Sequence, residues 1–277
     1  MKLYLKFLQR HSYRLNLKNP KSFNEKIQWR KIYDRNPLYP VLQDKFLARQ
    51  YVRETLGDKI ADEILVPLFC FSDVPEDIPF CDLPDQYIVK PNHGSGWKII
   101  VDEKHRLQKE KIISQCREWL EKIYGKNRFE WAYSRIKPLI MVEKLLKDSQ
   151  GRLAPNYKFF VFNGKARMID LFCDHFRIQA FLDRSFNIIN VRRRDCKYST
   201  AADIDKPCRF EEMLLISEKL GKGLDFIRVD LYFVEGRIYF GEFTIYPASG
   251  LGPYNPREFD FKLGSFWNLD SNIACRK

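Results

Sequence analysis

Arg228, Asp230 and Glu242 are the residues whose types and spacing most directly suggest chemistry. They stand in two alternating segments, Ile227-Arg228-Val229-Asp230-Leu231 and Tyr239-Phe240-Gly241-Glu242-Phe243-Thr244, on either side of Glu235-Gly236. Successive side chains of a strand point to opposite faces, so Arg228, Asp230 and Tyr232 share one face and Val229, Leu231 and Phe233 the other. Glu242 and Thr244 share a face of the partner strand. Register decides whether the carboxylates meet. A two-residue turn at Glu235-Gly236 pairs Asp230 with Gly241 and sends Glu242 to the far face. A three-residue loop with Gly236 left-handed, or a bulge, brings Arg228, Asp230 and Glu242 together. Two carboxylates so placed suit Mg2+ with phosphate oxygens as co-ligands. An ion pair of Arg228 with Asp230 or Glu242 on a solvated face is the plainer alternative.

Two more segments put polar groups where a core strand would not. In Val89-Lys90-Pro91-Asn92-His93-Gly94-Ser95-Gly96-Trp97, a lysine at a strand end precedes small residues. Backbone amides and an ammonium can then approach phosphate oxygens together. A β-turn with a surface lysine fits the same residues. His93 reads as a polar loop group rather than a catalyst. In Leu139-Ile140-Met141-Val142-Glu143-Lys144-Leu145-Leu146, Glu143 ends an apolar run. Such an element can offer a purine both backbone hydrogen bonds and apolar walls. By itself, Glu143 is also an ordinary strand-end charge.

Elements of both kinds must position these groups. Ser22-Phe23-Asn24-Glu25 is a capping box that opens an amphipathic helix ending near Asn36-Pro37. A second helix is predicted over residues 41–56, stopped by Gly57, and residues 65–85 form an irregular connection. Strands follow at 86–91 and 98–101, a helix at 107–124 and a strand at 139–142. Strands are predicted at 158–162, 166–172, 176–182 and 186–191, then a helix at 210–220 and a hairpin of 226–234 with 237–245. With no strand–helix–strand alternation, the class is α+β with antiparallel sheets.

The composition of the 277 residues, 45% hydrophobic and 30% charged, is that of a globular chain. No apolar run approaches the roughly 18–20 residues that span a bilayer. The broken start Met1-Lys2-Leu3-Tyr4-Leu5-Lys6 is unlike a signal peptide. Seven scattered cysteines without a Cys-x-x-Cys pair indicate neither a disulfide framework nor a zinc site, which suits a reducing cytoplasm. The net charge of +12 is concentrated at the amino end, where residues 1–60 hold 14 Lys/Arg against 5 Asp/Glu. Such an end attracts polyanions. No nucleic-acid module accompanies it, so nucleic acid is not expected as a partner.

In their order along the chain these segments resemble the nucleotide site of the ATP-grasp superfamily. The order is Lys-Pro before a Gly-Ser loop, Val-Glu-Lys-x-Leu, the lysine strand Tyr157-Lys158-Phe159, Arg-Val-Asp, and Gly-Glu-x-Thr before proline. Together with Phe23-Asn24-Glu25-Lys26-Ile27-Gln28-Trp29-Arg30-Lys31 and Asp44-Lys45-Phe46, they are similar to its TupA-like branch, associated with teichuronopeptide and surface-polysaccharide synthesis. The resemblance covers about residues 20–270.

It implies an ATP-grasp fold, two α+β subdomains sandwiching ATP. Their expected extents are 61–145, carrying the Gly-rich lid loop, and 146–277, carrying the metal-binding hairpin. A basic helical segment, residues 1–60, stands in place of a separate amino-terminal domain. It implies that Lys90, His93, Gly94, Ser95 and Gly96 bind the phosphates and that Lys45 reaches the phosphates or the adenine. Glu143, with Lys144 and Leu146, receives the adenine. Lys158 and Arg228 face the transferred phosphoryl group, and Asp230 and Glu242 hold Mg2+. Thr244 stands where the superfamily usually has an asparagine ligand, and Asn156 where an acidic residue commonly meets the ribose.

The activity implied is ATP-dependent carboxylate–amine ligation through an acyl phosphate. The carboxylate would lie on a uronic acid or an amino-acid-bearing surface-polysaccharide precursor, the amine on an amino acid or similar partner. Two alternatives stand beside it: a glycosyltransferase of capsule or exopolysaccharide synthesis, and a non-catalytic glycan-binding protein. Three further expectations concern particular side chains. The basic amino end, Arg30 and Lys31 in particular, contacts an acidic glycan, with peripheral contact to the inner face of a membrane also open. Lys90 carries little of the core. Asp230 and Glu242 repel one another when no metal is bound.

Overall fold

The computed structural model describes residues 2–102, 108–173, 177–194, 198–199 and 204–269. Met1, Leu107 and Phe176, within the stretches named above, lie outside them, as do two of the seven cysteines, Cys196 and Cys275. In chain order the helices are α1 (Lys2–His11), α2 (Phe23–Tyr33), α3 (Leu38–Gln43), α4 (Leu47–Leu56), α5 (Asp58–Ile64), α6 (Lys109–Glu121), α7 (Phe210–Leu220) and α8 (Glu258–Ser265). The first strands are β1 (Leu68–Ser72), β2 (Tyr87–Pro91), β3 (Ile99–Val101) and β4 (Ile140–Lys144). They are followed by β5 (Asn156–Phe162), β6 (Lys165–Cys173), β7 (Ile178–Leu182), β8 (Ile188–Ile189), β9 (Arg192–Arg193), β10 (Phe226–Val234), β11 (Arg237–Thr244) and β12 (Tyr254–Asn255). Among the described residues no helix is long and apolar enough to cross a membrane.

Two antiparallel sheets carry the architecture. One has four strands in the order β1-β4-β2-β3, the other six in the order β11-β10-β5-β6-β7-β8. The α+β reading is therefore right, and the main disagreements with the sequence are local. The strand expected over 186–191 shrinks to Ile188–Ile189. The helix expected over 41–56 breaks at Asp44, whose Oδ1 accepts from the amides of Phe46 (2.8 Å) and Leu47 (3.2 Å). A short acidic side chain that captures nearby amides competes with helix continuation. The break leaves the Lys45 amide free to donate to the Asn92 carbonyl at 2.9 Å, which brings Lys45 to the glycine loop.

The six-stranded sheet has a dry face and a mixed one. Val229, Leu231, Phe159 and Leu171 are buried on the first, beneath α7, where Phe159 stacks on Phe210 with ring centroids 6.1 Å apart. On the second, Phe160, Phe162 and Phe226 pack against Phe23 of α2. Further along that face α2 no longer covers the sheet, and charged residues take over.

Helix α2 begins as its capping box predicts. Ser22 Oγ accepts from the Glu25 amide at 3.1 Å, and Glu25 Oε2 accepts from the Ser22 amide at 3.0 Å. Its polar residues, however, do not form a solvated basic face. Arg30 is fully buried, donating to the carbonyls of Phe226 (3.0 Å) and Ile245 (3.3 Å) and to Asp225 (2.5 Å) while lying over the Trp267 ring. Lys31, also buried, donates to the carbonyl and hydroxyl of Ser249. Burial pushes the Lys31 ammonium down to about 8 against the attraction of Glu130. The expectation that Arg30 and Lys31 contact a glycan is corrected: strand ends and a left-handed turn at Ala248, Ser249 and Gly250 need donors, and these cations supply them. Removing one partner of a buried pair costs about 3–5 kcal/mol. Arg30→Ala should lose that much in urea unfolding, and a loss below about 1 kcal/mol would contradict the structural role.

His11 ties α1 to the same turn, its Nε2 3.1 Å from the Gly250 carbonyl and its ring 4.2 Å from that of Phe7. Burial, with Arg194, Arg10 and Arg193 adding to it, lowers its pKa from 6.5 to about 4 despite that hydrogen bond. Between those two values the unfolded chain binds a proton that the folded chain refuses. Stability attributable to His11 is thus fully present above pH 6.5 and falls by roughly 3 kcal/mol as pH drops to 4. The pH dependence of unfolding should be shallower in His11→Gln by that amount. Superimposable wild-type and variant profiles would refute it.

Candidate active site

The hairpin of β10 and β11 resolves the register question by the second of the two routes, a bulge. Val234 pairs with Arg237, so the turn is the two-residue Glu235-Gly236, with φ of 52° and 70°. That is a primed turn, favoured because its twist matches the strands. Leu231 pairs with Phe240, but Asp230 pairs with Glu242. Gly241 is the extra residue of a bulge. A Cβ there would stand 2.7 Å from Tyr232 Cε2 and 3.1 Å from the Asp230 carbonyl, which accounts for glycine. The bulge, and not an odd loop, puts both carboxylates on one face.

Cross-strand pairing extends this row. Asp230 also pairs with Lys158 of β5, and Lys158 with Asp170 of β6. Arg228, two residues along, pairs with Thr244. Its Nε and Nη2 each donate to an Asp230 oxygen at 2.6 Å, and Nη2 reaches Glu242 Oε1 at 3.4 Å. Lys45 Nζ is 3.5 Å from Glu242 Oε2. Burial works against ionisation of Glu242, yet Lys45, Arg228, Lys90 and Lys158 outweigh it and hold its carboxyl below the ordinary value. Asp230, 1% exposed, is raised by burial, which Arg228 only partly offsets. The expected mutual repulsion is present, since Glu242 adds to the rise of Asp230, but Arg228 bonds to both carboxylates and offsets part of it.

The phosphate-side candidates converge from other elements. Lys45 Nζ donates to the Gly94 carbonyl at 2.5 Å. Gly94 and Gly96 have φ of 89° and 80°, a region glycine enters without strain. Asn92 fixes the base of this loop, donating to the Lys137 carbonyl and accepting from the Leu139 amide at 2.8 Å. His93 is turned inward, its ring nitrogens engaged by Asn92 Oδ1 and by the carbonyls of Trp119 and Lys122, so its side chain is not offered to a ligand. Lys90 lies within β2 rather than on an exposed loop, its Nζ 2.5 Å from Glu143 Oε2. The expectation that Lys90 is an exposed loop residue carrying little of the core is corrected accordingly.

Between the two sheets lies a cleft of about 550 Å3 including its open mouth, lined by Lys90, Lys98, Glu143, Lys144, Leu146 and Tyr232 among others. Val66, Ile88, Ile100, Leu145, Leu153 and Ala154 give it apolar walls, and Gly241 reaches it from the bulge. The Lys144 amide donates to the Pro67 carbonyl and the Leu146 carbonyl accepts from the Ala154 amide, so residues 144–146 are pinned on both sides. Asn156 pairs with Tyr232 at the cleft's edge, and its Oδ1 is buried without a hydrogen-bond partner. Arg49 was not foreseen: it reaches Glu143 Oε1 at 3.3 Å across 94 positions of sequence, and no spacing pattern signals it. Lys98 could have been suspected from its place just after the Gly-Ser loop.

The family model for the TupA-like ATP-grasp proteins matches residues 25–268. The chain belongs to that family. Its α+β architecture is accordingly an ATP-grasp fold. Solved structures similar to this ATP-grasp chain include an L-amino acid ligase from Bacillus licheniformis, 14% identical with a TM-score of 0.49 over 82% of this chain and 50% of that one. A D-alanine–D-alanine ligase from Helicobacter pylori is 15% identical, TM-score 0.48, over 90% and 70%. One from Bacillus anthracis, complexed with ATP, is 19% identical, TM-score 0.41, over 74% and 54%. The chain spans about half the length of the two Bacillus proteins. No curated protein matches it.

Proposed function

We propose that this chain is an ATP-dependent carboxylate–amine ligase, with the nucleotide in the cleft between the sheets. The observation that carries the reading is the row Glu242–Asp230–Lys158 beside Arg228, met by Lys45, with Lys90 acting on Glu242 from the other sheet. A phosphoryl group in flight spreads negative charge over its oxygens, and fixed cations lower the barrier without reorganising. Lys45, Lys90 and the amides of Gly94, Ser95 and Gly96 bind the polyphosphate. Lys158 and Arg228 face the group being transferred. Glu143, Lys144 and Leu146 meet the adenine, and the unpartnered Asn156 Oδ1 accepts from a ribose hydroxyl.

The donor set also fits Mg2+, which binds through one or two carboxylates and substrate phosphates. Each carboxylate has about four acceptor positions, so the bonds from Arg228 leave lone pairs on Asp230 and Glu242 for a hard cation, with Thr244 nearby. When bound, the ion would neutralise charge on the phosphate oxygens. In the reaction an acceptor carboxylate oxygen attacks the γ-phosphorus. The bond to the bridging oxygen breaks, and ADP leaves with its electron pair. An amine nitrogen then attacks the acyl carbon, losing its proton as phosphate departs. We assign the carboxylate to a uronic acid or an amino acid on a surface-polysaccharide precursor, in line with the family.

Hydroxylamine intercepts acyl phosphates as hydroxamates. With ATP and Mg2+, a panel of sugar acids and amino acids should include a member that yields hydroxamate and ADP in equal amounts. Glycosyl transfer from a nucleotide sugar, with no ADP formed from any acid, would replace the ligase by the glycosyltransferase.

A further inference from the structure

A second cleft lies on the far side of Tyr124 from the glycine loop, between the end of α2 and residues 123–134. It encloses about 830 Å3 including its open mouth and is lined by Lys31, Arg35, Lys126, Phe129, Glu130 and Trp131 among others. Two observations make it a candidate ligand site. Trp131 Nε1 is buried without a hydrogen-bond partner, whereas a buried indole N–H ordinarily finds an acceptor. Phe129 is 55% exposed and held at φ 61°, a region disfavoured for a bulky residue. Ile123, 59% exposed, forms another apolar edge. An exposed ring in a strained backbone is the kind of outlier that marks a binding surface.

Charge gives the ligand its sign. Arg35 and Lys126 face the space, while the buried Lys31, bonded to Ser249, and Glu130, the one carboxylate lining it, offset one another. Glu130 is itself buried, and its carboxyl is raised by that burial although Ser249 and Lys31 oppose the shift. Arg35 lies over the Trp131 ring, 5.2 Å from its centroid, and uses Nη1 on the carbonyls of Lys31 and Asp34. Among the described residues no acidic side chain pairs with Arg35 or Lys126. Location supplies the role. Tyr124 forms one wall and touches the glycine loop: its ring is 5.3 Å from that of Trp97, and a Cβ on Gly94 would stand 3.0 Å from Tyr124 Cδ2.

We propose that this cleft binds a small carboxylic acid carried on a ring. The carboxylate is met by Arg35, Lys126 and the Trp131 indole, and the ring lies against Phe129 and Tyr124. That this acid binds here does not depend on the ligase reading. A sugar acid and an aromatic acid share this chemistry, and the test separates them.

The five tryptophans give five indole N–H signals in a nitrogen–proton correlation spectrum, and Trp131→Phe identifies the one that matters. Titration of the full chain with sodium D-glucuronate or sodium phenylacetate should move the Trp131 indole signal at millimolar concentration. D-Glucose, without the carboxylate, should not. The probe that saturates first names the ring class. Arg35→Gln and, separately, Lys126→Glu should weaken that probe about tenfold, the worth of one charge-assisted hydrogen bond. Lys126 is a surface residue, so that variant remains informative if the first fails to fold. An indole signal unmoved by both acids, or moved equally by glucose, would overturn the proposal, as would a signal that moves with protein concentration alone and so reports self-association. Binding of Mg·ATP is followed in the same samples through the other signals. Acid binding without ATP binding removes the ligase reading and leaves the cleft; ATP binding without acid binding does the reverse.

Discussion

Asp230→Asn is expected to lower the rate of hydroxamate and ADP formation about a thousandfold, the upper range for loss of one preorganised electrostatic group. Asparagine keeps the size and one acceptor oxygen, so the cleft between the sheets retains its shape. What disappears is one of the two charges that face each other across the bulge, and with it half of the charged donor set for Mg2+. Stability should fall as well. Arg228 now loses the partner that holds both ends of its fork at 2.6 Å, although Glu242 remains 3.4 Å away. Breaking a buried pair costs about 3–5 kcal/mol, and the residual contact places this case near the lower end. Urea unfolding of the variant checks that half of the prediction. A variant that turns over normally would shift the account from a ligase to a binding protein.

Lys90→Ala should weaken ATP about a hundredfold, since a charge-assisted contact to phosphate is worth up to about 3 kcal/mol. Without nucleotide the ammonium is paired with Glu143, which is nearly buried and also held by Arg49. ATP must therefore draw Lys90 partly away from Glu143, and Arg49 remains as that carboxylate's partner. Calorimetric titration of the variant gives the affinity. An unchanged Kd would mean that the lysine serves only the ion pair. Because alanine leaves Glu143 with one cation instead of two, a modest loss of stability should accompany the loss of affinity.

Local spacing made several of these groups legible before any fold was known. The capping box at Ser22 and Glu25 involves neighbours three apart, so sequence alone specifies it. Strand alternation placed Arg228 with Asp230, and parity showed that a two-residue turn needed a bulge to bring in Glu242. It could not say that Gly241 would be the bulged residue, because that depends on Tyr232 packing across the hairpin. Long-range demands were invisible. Arg30 and Lys31 read as surface charge, since nothing nearby in sequence shows the carbonyls of Phe226, Ile245 and Ser249 that they serve. The break at Asp44 escaped for a related reason: residues 41–56 have helical periodicity, and one aspartate side chain overrides it. The cleft at Trp131 and Phe129 follows from how residues 123–134 meet α2, which no periodicity encodes.

The central claim is that the cleft between the sheets is a nucleotide site, and titration of the full chain with Mg·ATP tests it most directly. The account predicts saturable binding, lost in Lys90→Ala. At about a hundred times Kd it also predicts a gain of about 2.7 kcal/mol, or roughly 5–10 °C in Tm for a chain of this size. UDP-sugars should leave Tm unchanged. A rise with a UDP-sugar and none with Mg·ATP would contradict the claim.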